Sequence, residues 1–164
     1  MDNGPQAYDM IGVVLGEPPL VTSALFAPRS MSPEVEDTAE ILFRTDGGVI
    51  GRIALSWAYF TKELDYIVIH GKKGSLKIGW AGSGLRAHGD AEWTALGNDY
   101  DKRKAFVDQL AAFVASVRGR SAIEPATEAI GALDFVERVY EVERRGRTVV
   151  SADSWGTFFD LTPR

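Results

Sequence analysis

Residues 37–57, DTAEILFRTDGGVIGRIALSW, contain the clearest indication of the fold in this sequence. From Val35 to Arg44, apolar and charged side chains alternate, so that most of the charged residues lie on the same face of the predicted strand. That pattern is typical of a strand with one buried face. Asp46-Gly47-Gly48 then supplies the residue types of a tight hairpin turn, and Ile53, Leu55 and Trp57 share one face of the returning segment. These residues predict two paired antiparallel strands.

Further strands and three helices are predicted around this hairpin. Apolar residues recur at a helical spacing between Ala7 and Leu15, after the early Pro5, and Gly16 is expected to end that helix. Additional strands are predicted over residues 20–26, 64–70, 75–80 and 84–88. The helical spacing returns over residues 100–118, with an aspartate near the start, and again from Pro125 to Gly146.

This order of elements predicts an α+β fold. We expect an open, mostly antiparallel sheet of about five or six strands, with helices packed on one face and the other face left for oligomerisation. Residues 1–150 are predicted to form one domain. Residues 149 and 150 are expected to add a short edge strand, and residues 151–164 to form an aromatic tail with Trp155, Phe158 and Phe159.

Composition excludes several classes of function. The 164-residue chain has no cysteine, which rules out thiol catalysis, cysteine-ligated zinc and disulfides. Its net charge of −5, with acidic residues interleaved among its arginines, gives no basic stripe for nucleic acid. Apolar runs are too short for a membrane span, and no basic-then-apolar leader opens the chain. We therefore expect a cytoplasmic protein that binds neither nucleic acid nor membrane.

Four short motifs resemble the C-terminal domain of the Gfo/Idh/MocA oxidoreductase family. They are DxGxQxxD at residues 2–9, LGEP at 15–18, the strand pair EDTA and GRI at 36–39 and 51–53, and HGxxGSL at 70–76. In that family an N-terminal Rossmann domain binds NAD or NADP. The resemblance implies that this second domain supplies the substrate-side wall and an open sheet used for dimers or tetramers.

Compared with this family, the sequence lacks two features that its redox chemistry requires. No Gly-x-Gly-x-x-Gly loop follows a strand in the sequence, so we expect no cofactor to be bound by this chain alone. NAD or NADP is expected only with a separate Rossmann-domain chain. The family's Asp-x-x-x-His pair matches Asp2, while Gln6 occupies the histidine position. Because glutamine does not titrate near neutral pH, hydride transfer by this chain alone is not expected, and whether it is an enzyme stays open.

Several residues are candidates for the site, and three of them also have a plainer structural interpretation. Asp2 and Gln6 lie one turn apart and are the catalytic motif positions, although Asp2 is also a natural helix cap. His70 is a further catalytic candidate, although a histidine at a glycine turn is more often structural. Candidate substrate-binding residues are Tyr8, Asp9, Trp57 and Glu63, of which Tyr8 also suits a packing role.

Two other sets of polar residues have plain interpretations as well. Glu36, Glu40 and Arg44 form a charged row beside Arg52, which is typical of cross-strand pairing. Neither His70 nor His88 has a second ligand at metal-binding spacing, so no metal is expected.

Three hypotheses follow from these residues. The leading one is a stand-alone or split substrate-binding and dimerisation domain that acts on a sugar, polyol or related small molecule. The alternative is a repurposed, cofactor-independent lyase, isomerase or cyclase that uses the vacated cleft and residues such as Asp2, Tyr8, His70 or Glu63. A third is a structural assembly module or a fragment of a longer oxidoreductase.

Overall fold

The computed structural model describes residues 3–27, 35–58, 65–97, 100–120 and 127–146. Its elements, in chain order, are α1 (Gly4–Leu15), β1 (Leu20–Phe26), β2 (Thr38–Arg44), β3 (Ile50–Ser56), β4 (Asp65–Gly71), β5 (Gly74–Gly79), β6 (Gly82–Ala87), β7 (Thr94–Leu96), α2 (Lys102–Val117) and α3 (Thr127–Gly146). All strand pairs are antiparallel. The predicted α+β class is confirmed.

The strands in the described ranges form two sheets, whereas one sheet of five or six strands was predicted. Strands β1, β2 and β3 form the first sheet in that order, and β4, β5, β6 and β7 form the second. One additional strand, β7, accounts for the higher count; it was not predicted, because its three residues are too few for a period-2 pattern to register. The chain folds as two compact units, of which the first holds the described residues up to 58 and 127–146, and the second holds residues 65–120.

The β2–β3 hairpin forms as the sequence predicts. At its turn the Thr45 amide donates to the Val49 carbonyl over 2.8 Å, and Gly48 has a φ of 86°, which an L side chain rarely adopts. The ring of Phe43 lies over Gly51 on the neighbouring strand, where a Cβ would collide with it. Strand β2 begins at Thr38, three residues later than the alternation suggested.

The hydrophobic core of the first unit lies between its sheet and two helices. Its buried members come from all three strands and from α3: Ala24, Ile41, Phe43, Ile53, Phe135 and Val139. Helix α1 adds partly buried side chains, including Tyr8, Ile11 and Leu15, and ends at Gly16 with a φ of 75°. On the opposite face of the same sheet, Leu25 is 69% exposed and Leu42 is 50% exposed. Among the described elements, helices α1 and α3 therefore pack on the core side of this sheet.

Side chains in the second unit are less buried than those in the first. Helix α2 is capped by Asp101, whose carboxylate accepts from the Lys104 amide over 3.0 Å, as the early aspartate predicted. None of its residues is buried, and Phe106 and Leu110 are 60% and 64% exposed. In the four-stranded sheet, Lys77 Nζ and Arg86 Cζ lie 5.0 and 4.9 Å from the ring centre of Trp93.

Two expectations for the end of the chain lie outside the described residues. These are the edge strand at residues 149 and 150 and the aromatic tail from Trp155 onward. Of the helices in the described ranges, none combines the length and the apolar character that crossing a membrane requires.

Candidate functional site

A cleft of about 310 Å³ opens in the first unit, where the start of β2 meets the end of β3 beside the first turn of α1. Three short segments contribute its walls: the residue before α1, the approach to β2, and the end of β3. The lining residues are Asn3, Val35, Glu36, Asp37, Thr38, Ala39, Leu55, Ser56 and Trp57. The walls thus combine acidic and hydroxyl side chains with apolar ones.

Strand register brings the two hydroxyls of the cleft together. Thr38 pairs with Ser56 in the β2–β3 ladder, and Thr38 Oγ1 lies 2.7 Å from Ser56 Oγ. The Ala58 amide donates to Ser56 Oγ over 3.0 Å, and the Trp57 amide donates to the Asp37 carbonyl over 2.9 Å. These bonds fix the backbone on both sides of the cleft.

Glu36 is held in place by α3. The hydroxyl of Tyr140 donates to Glu36 Oε1 over 2.6 Å, and the Tyr140 ring packs edge-on against Phe26 with 5.2 Å between ring centres. Burial raises the pKa of Glu36, but hydrogen bonds to its carboxylate, including that of Tyr140, outweigh this effect and leave the pKa below the usual glutamate range. Glu36 is therefore ionised at neutral pH and is a hydrogen-bond acceptor rather than a proton donor.

Trp57 gives the cleft an exposed aromatic surface, with 64% of the residue accessible. An indole offers a large apolar face together with one N–H donor. Beside it, the Thr38 and Ser56 hydroxyls can each donate or accept. This combination suits a small molecule with both C–H faces and hydroxyl groups, in a concave site with a few placed polar groups.

The predicted site residues of α1 that the structure describes, Gln6, Tyr8 and Asp9, are not among the residues that line the cleft. Gln6 and Asp9 are exposed. Tyr8 is half-buried, and its ring lies 5.5 Å from that of Phe135 on α3, with its hydroxyl over Gly131. The contacts of Tyr8 are therefore those of a packing residue. Among the predicted substrate-binding residues, Trp57 lines the cleft.

The other predicted site residues lie elsewhere or outside the described ranges. His70 is in the second unit, is exposed, and has Nδ1 2.9 Å from Ser75 Oγ on the adjacent strand. Asp2 and Glu63 lie outside the described residues. Across the residues that the structure describes, no group of three His, Cys, Asp or Glu side chains is placed to hold a metal.

Sequence reasoning overlooked Thr38, Ser56 and the role of Glu36 in the cleft. Arg52 does pair with Glu40, through two bonds of 2.7 and 3.1 Å, as the charged row suggested. Glu36 instead contacts Tyr140, 104 residues away. Counting outward from the predicted turn would have placed Thr38 opposite Ser56, whereas no local pattern points to Tyr140.

Comparison with known families confirms the resemblance to an oxidoreductase domain. Residues 1–77 match the family model described as the GFO/IDH/MocA C-terminal domain. The described residues that line the cleft all lie inside this matched segment. A search of curated protein sequences finds no match.

Solved structures share the fold at low identity. The aldose-aldose oxidoreductase from Caulobacter crescentus, complexed with glycerol, is 20% identical with a TM-score of 0.69 over 88% of this chain and 44% of its own. The WlbA dehydrogenase from Bordetella pertussis, in complex with NADH and UDP-GlcNAcA, is 21% identical with a TM-score of 0.62 over 88% and 42%. Levoglucosan dehydrogenase, in complex with NADH and levoglucosan, is 14% identical with a TM-score of 0.72 over 88% and 48%. The chain thus spans less than half the length of each of these proteins.

Proposed function

We propose that this chain is the substrate-binding and dimerisation half of a Gfo/Idh/MocA-type oxidoreductase that acts on a sugar, polyol or related small molecule. The observation that carries the proposal is the cleft itself. It lies within the segment that matches the family, and it pairs the exposed Trp57 with the Thr38 and Ser56 hydroxyls and the Glu36 carboxylate. Solved structures of the same fold are complexed with glycerol and with levoglucosan, which are polyhydroxylated molecules.

In this proposal the cleft binds and orients the substrate, and a nicotinamide-binding domain supplies the oxidant. That domain is either on the same polypeptide or on a separate chain. Gln6 at the family's histidine position does not titrate near neutral pH, and the low pKa of Glu36 makes its carboxylate a weak base. The described part of this chain therefore contributes binding, and hydride transfer requires the second domain.

Ligand titration of the purified chain tests the binding role. Levoglucosan and glycerol are titrated while backbone amide shifts are followed by NMR. We expect the shifts to concentrate at residues 35–39 and 55–57, and we expect Trp57→Ala to weaken binding about tenfold through loss of the aromatic surface. Trp80→Ala is the matched control, because Trp80 is 61% exposed in the second unit. Absence of binding, or equal weakening by both substitutions, would overturn the proposal.

The dimerisation role is supported by the uncovered face of the first sheet. Leu25 and Leu42 point to the face opposite the core and are 69% and 50% exposed. Such an apolar face is a natural contact between copies. Sedimentation analysis should show a dimer that Leu42→Glu converts to monomer, whereas Val13→Glu, on an 85% exposed position of α1, should leave it intact. A monomeric wild-type chain would contradict this role.

The alternative of a cofactor-independent enzyme stays a prediction from the sequence. Of the four residues on which it depends, Tyr8 packs against α3 and His70 belongs to the other unit.

A further inference from the structure

We infer that the second unit binds the phosphate group of a small organic ligand on one face of its sheet, at Lys77 and Arg86. The cleft belongs to the first unit, so this inference does not rest on the proposed function. It follows from the distribution of charge along the chain, from the register of β5 and β6, and from the contacts of the two cations.

Positive charge is concentrated in the strands of this sheet. The whole chain has a net charge of −5, but residues 66–89 contain four lysines and arginines and no aspartate or glutamate. The four are Lys72, Lys73, Lys77 and Arg86. Among the described residues, the one carboxylate within ion-pair distance of any of them is that of Asp65, whose Oδ2 lies 3.8 Å from Lys77 Nζ. An anion that approaches these strands therefore meets an excess of positive charge.

Strand register places Lys77 and Arg86 on the same face. In the β5–β6 ladder Lys77 pairs with Gly84, and Ser75 pairs with Arg86. Because side chains alternate between the two faces of a strand, residues two positions apart share a face, and so do their partners. Ser75 adds a hydroxyl to this face, with its Oγ 2.9 Å from His70 Nδ1. The face thus presents two cations and a hydroxyl, all of which can donate hydrogen bonds to phosphate oxygens.

Trp93 holds the two cations close together. Lys77 Nζ lies 5.0 Å and Arg86 Cζ lies 4.9 Å from the centre of its ring, to which both are attracted electrostatically. Gly84 makes this approach possible, because a Cβ at that position would lie 3.2 Å from Lys77 Cε and 3.3 Å from Trp93 Cε3, closer than an ordinary contact. The two cations are therefore positioned before a ligand arrives, which lowers the entropic cost of binding it.

Arg86 has hydrogen-bond donors left for a ligand. The residue is half-buried, and in the part of the chain that the structure describes its guanidinium packs on Trp93 without an ion pair or a hydrogen bond. A guanidinium has five N–H donors in a planar fork that matches the oxygens of a phosphate group. A phosphate group can accept two parallel bonds from this fork and a further one from Lys77, and its charge of about −2 matches the two cations.

Titration with three ligands that differ in the phosphate group tests the inference. Glucose 6-phosphate, inorganic phosphate and glucose are each added to the full chain at constant ionic strength and about pH 8, where a phosphate ester carries a charge of about −2. Backbone amide shifts in NMR spectra are the readout. We expect both phosphate compounds to shift the amides of residues 75–77, 84–86 and 93, and glucose to leave these amides unchanged. Arg86→Gln should weaken the binding of both phosphate compounds at least about fivefold, because it removes the charged fork.

Arg103→Gln is the matched control, because it removes one positive charge from an exposed position of α2 in the same unit. It should leave binding unchanged. Equal weakening by both substitutions, or shifts that are as large at residues 102–104, would show that phosphate only screens surface charge and would overturn the inference. Absence of shifts with either phosphate compound would also overturn it, and binding of inorganic phosphate alone would overturn the assignment of an organic ligand. Where Arg86→Gln does not fold, Lys77→Gln provides the same test, because Lys77 lies against the same ring.

Discussion

Among the described residues of the first unit, eight hydrophobic ones are buried, and two of these, Ile41 and Val139, have no exposed surface. In the second unit the buried residues of the described ranges are two glycines, Gly79 and Gly84. Both units contain an antiparallel sheet, so backbone hydrogen bonding does not distinguish them. The first unit has two helices over one face of its sheet, whereas α2 in the second unit buries none of its residues. Side-chain burial is thus concentrated in one half of the chain.

The second unit instead contains aromatic and cation–π contacts between side chains that are at least partly exposed. Trp80 lies 4.9 Å from Tyr66 and 5.7 Å from Tyr100 between ring centres, and Trp93 faces Lys77 and Arg86. Each such pair contributes about 0.5–1.5 kcal/mol. Burial of one large core side chain contributes about 1.5–3 kcal/mol. Because its side chains are more deeply buried, we expect the first unit, which also holds the cleft, to be the more stable of the two.

The largest expected effect comes from truncating one phenylalanine in each unit. Phe135 is 4% exposed in the core of the first unit, and Phe106 is 60% exposed on α2. Phe135→Ala should lower the free energy of unfolding by about 3–5 kcal/mol, because it removes buried contacts and leaves a cavity. Phe106→Ala should change it by no more than about 0.5 kcal/mol. Urea unfolding followed by far-UV circular dichroism measures both.

Equal losses for the two variants would contradict the difference in burial between the units, since they would show that α2 is packed in solution as tightly as α3. Where Phe135→Ala leaves too little folded protein to titrate, Phe135→Leu gives a smaller loss on the same scale.

Local patterns in the sequence predicted elements of both units. The β2–β3 hairpin, the end of α1 at Gly16 and the cap at Asp101 each depend on residues within a few positions of one another, so spacing and residue type were sufficient. Contacts between distant residues were not accessible in that way. The bond from Tyr140 to Glu36 and the placement of Tyr8 against Phe135 arise only when α3 packs beside the sheet and α1. The cleft was therefore predicted only through Trp57.

The second expected effect is a contrast in amide hydrogen exchange. Strand β2 is paired on both sides and contains Ala39, Ile41 and Phe43, all of them buried. Its amides should exchange at least about a hundredfold more slowly than those of α2, because helix amides without buried neighbours open locally at low cost. Mass spectrometry of peptides after timed exchange provides the measurement. Similar protection in β2 and α2 would contradict the difference between the units.

A third and smaller effect separates two tyrosine hydroxyls. The Tyr140 hydroxyl donates to Glu36 in the first unit, whereas in the described ranges the hydroxyl of Tyr66, a 44% exposed residue of the second unit, has no hydrogen bond. Tyr140→Phe should lower the free energy of unfolding by about 1–2 kcal/mol, since it removes a bond to a charged, half-buried acceptor. Tyr66→Phe should be nearly neutral. A neutral Tyr140→Phe would mean that Glu36 is positioned by other contacts.

The smallest expected effect is a change in how the stability of the fold depends on pH in the acid range. Glu17 follows α1 and reaches the β2–β3 turn, where hydrogen bonds from the Thr45 side chain and the Gly47 amide, the latter over 2.8 Å, lower its pKa below the usual glutamate range. A carboxylate whose pKa is lowered by folding stabilises the fold at pH values above its pKa in the unfolded chain, and this contribution is lost as the pH falls through its pKa in the folded chain.

Glu17→Gln should therefore reduce the stability of the fold slightly at pH 7, and the difference from the wild type should disappear in acid. Thermal unfolding at a series of pH values measures it, with Glu137→Gln, at an exposed position of α3, as the control for removing one negative charge. Parallel curves for the wild type and Glu17→Gln from neutral to acid would show that this carboxylate does not stabilise the contact between the end of α1 and the β2–β3 turn.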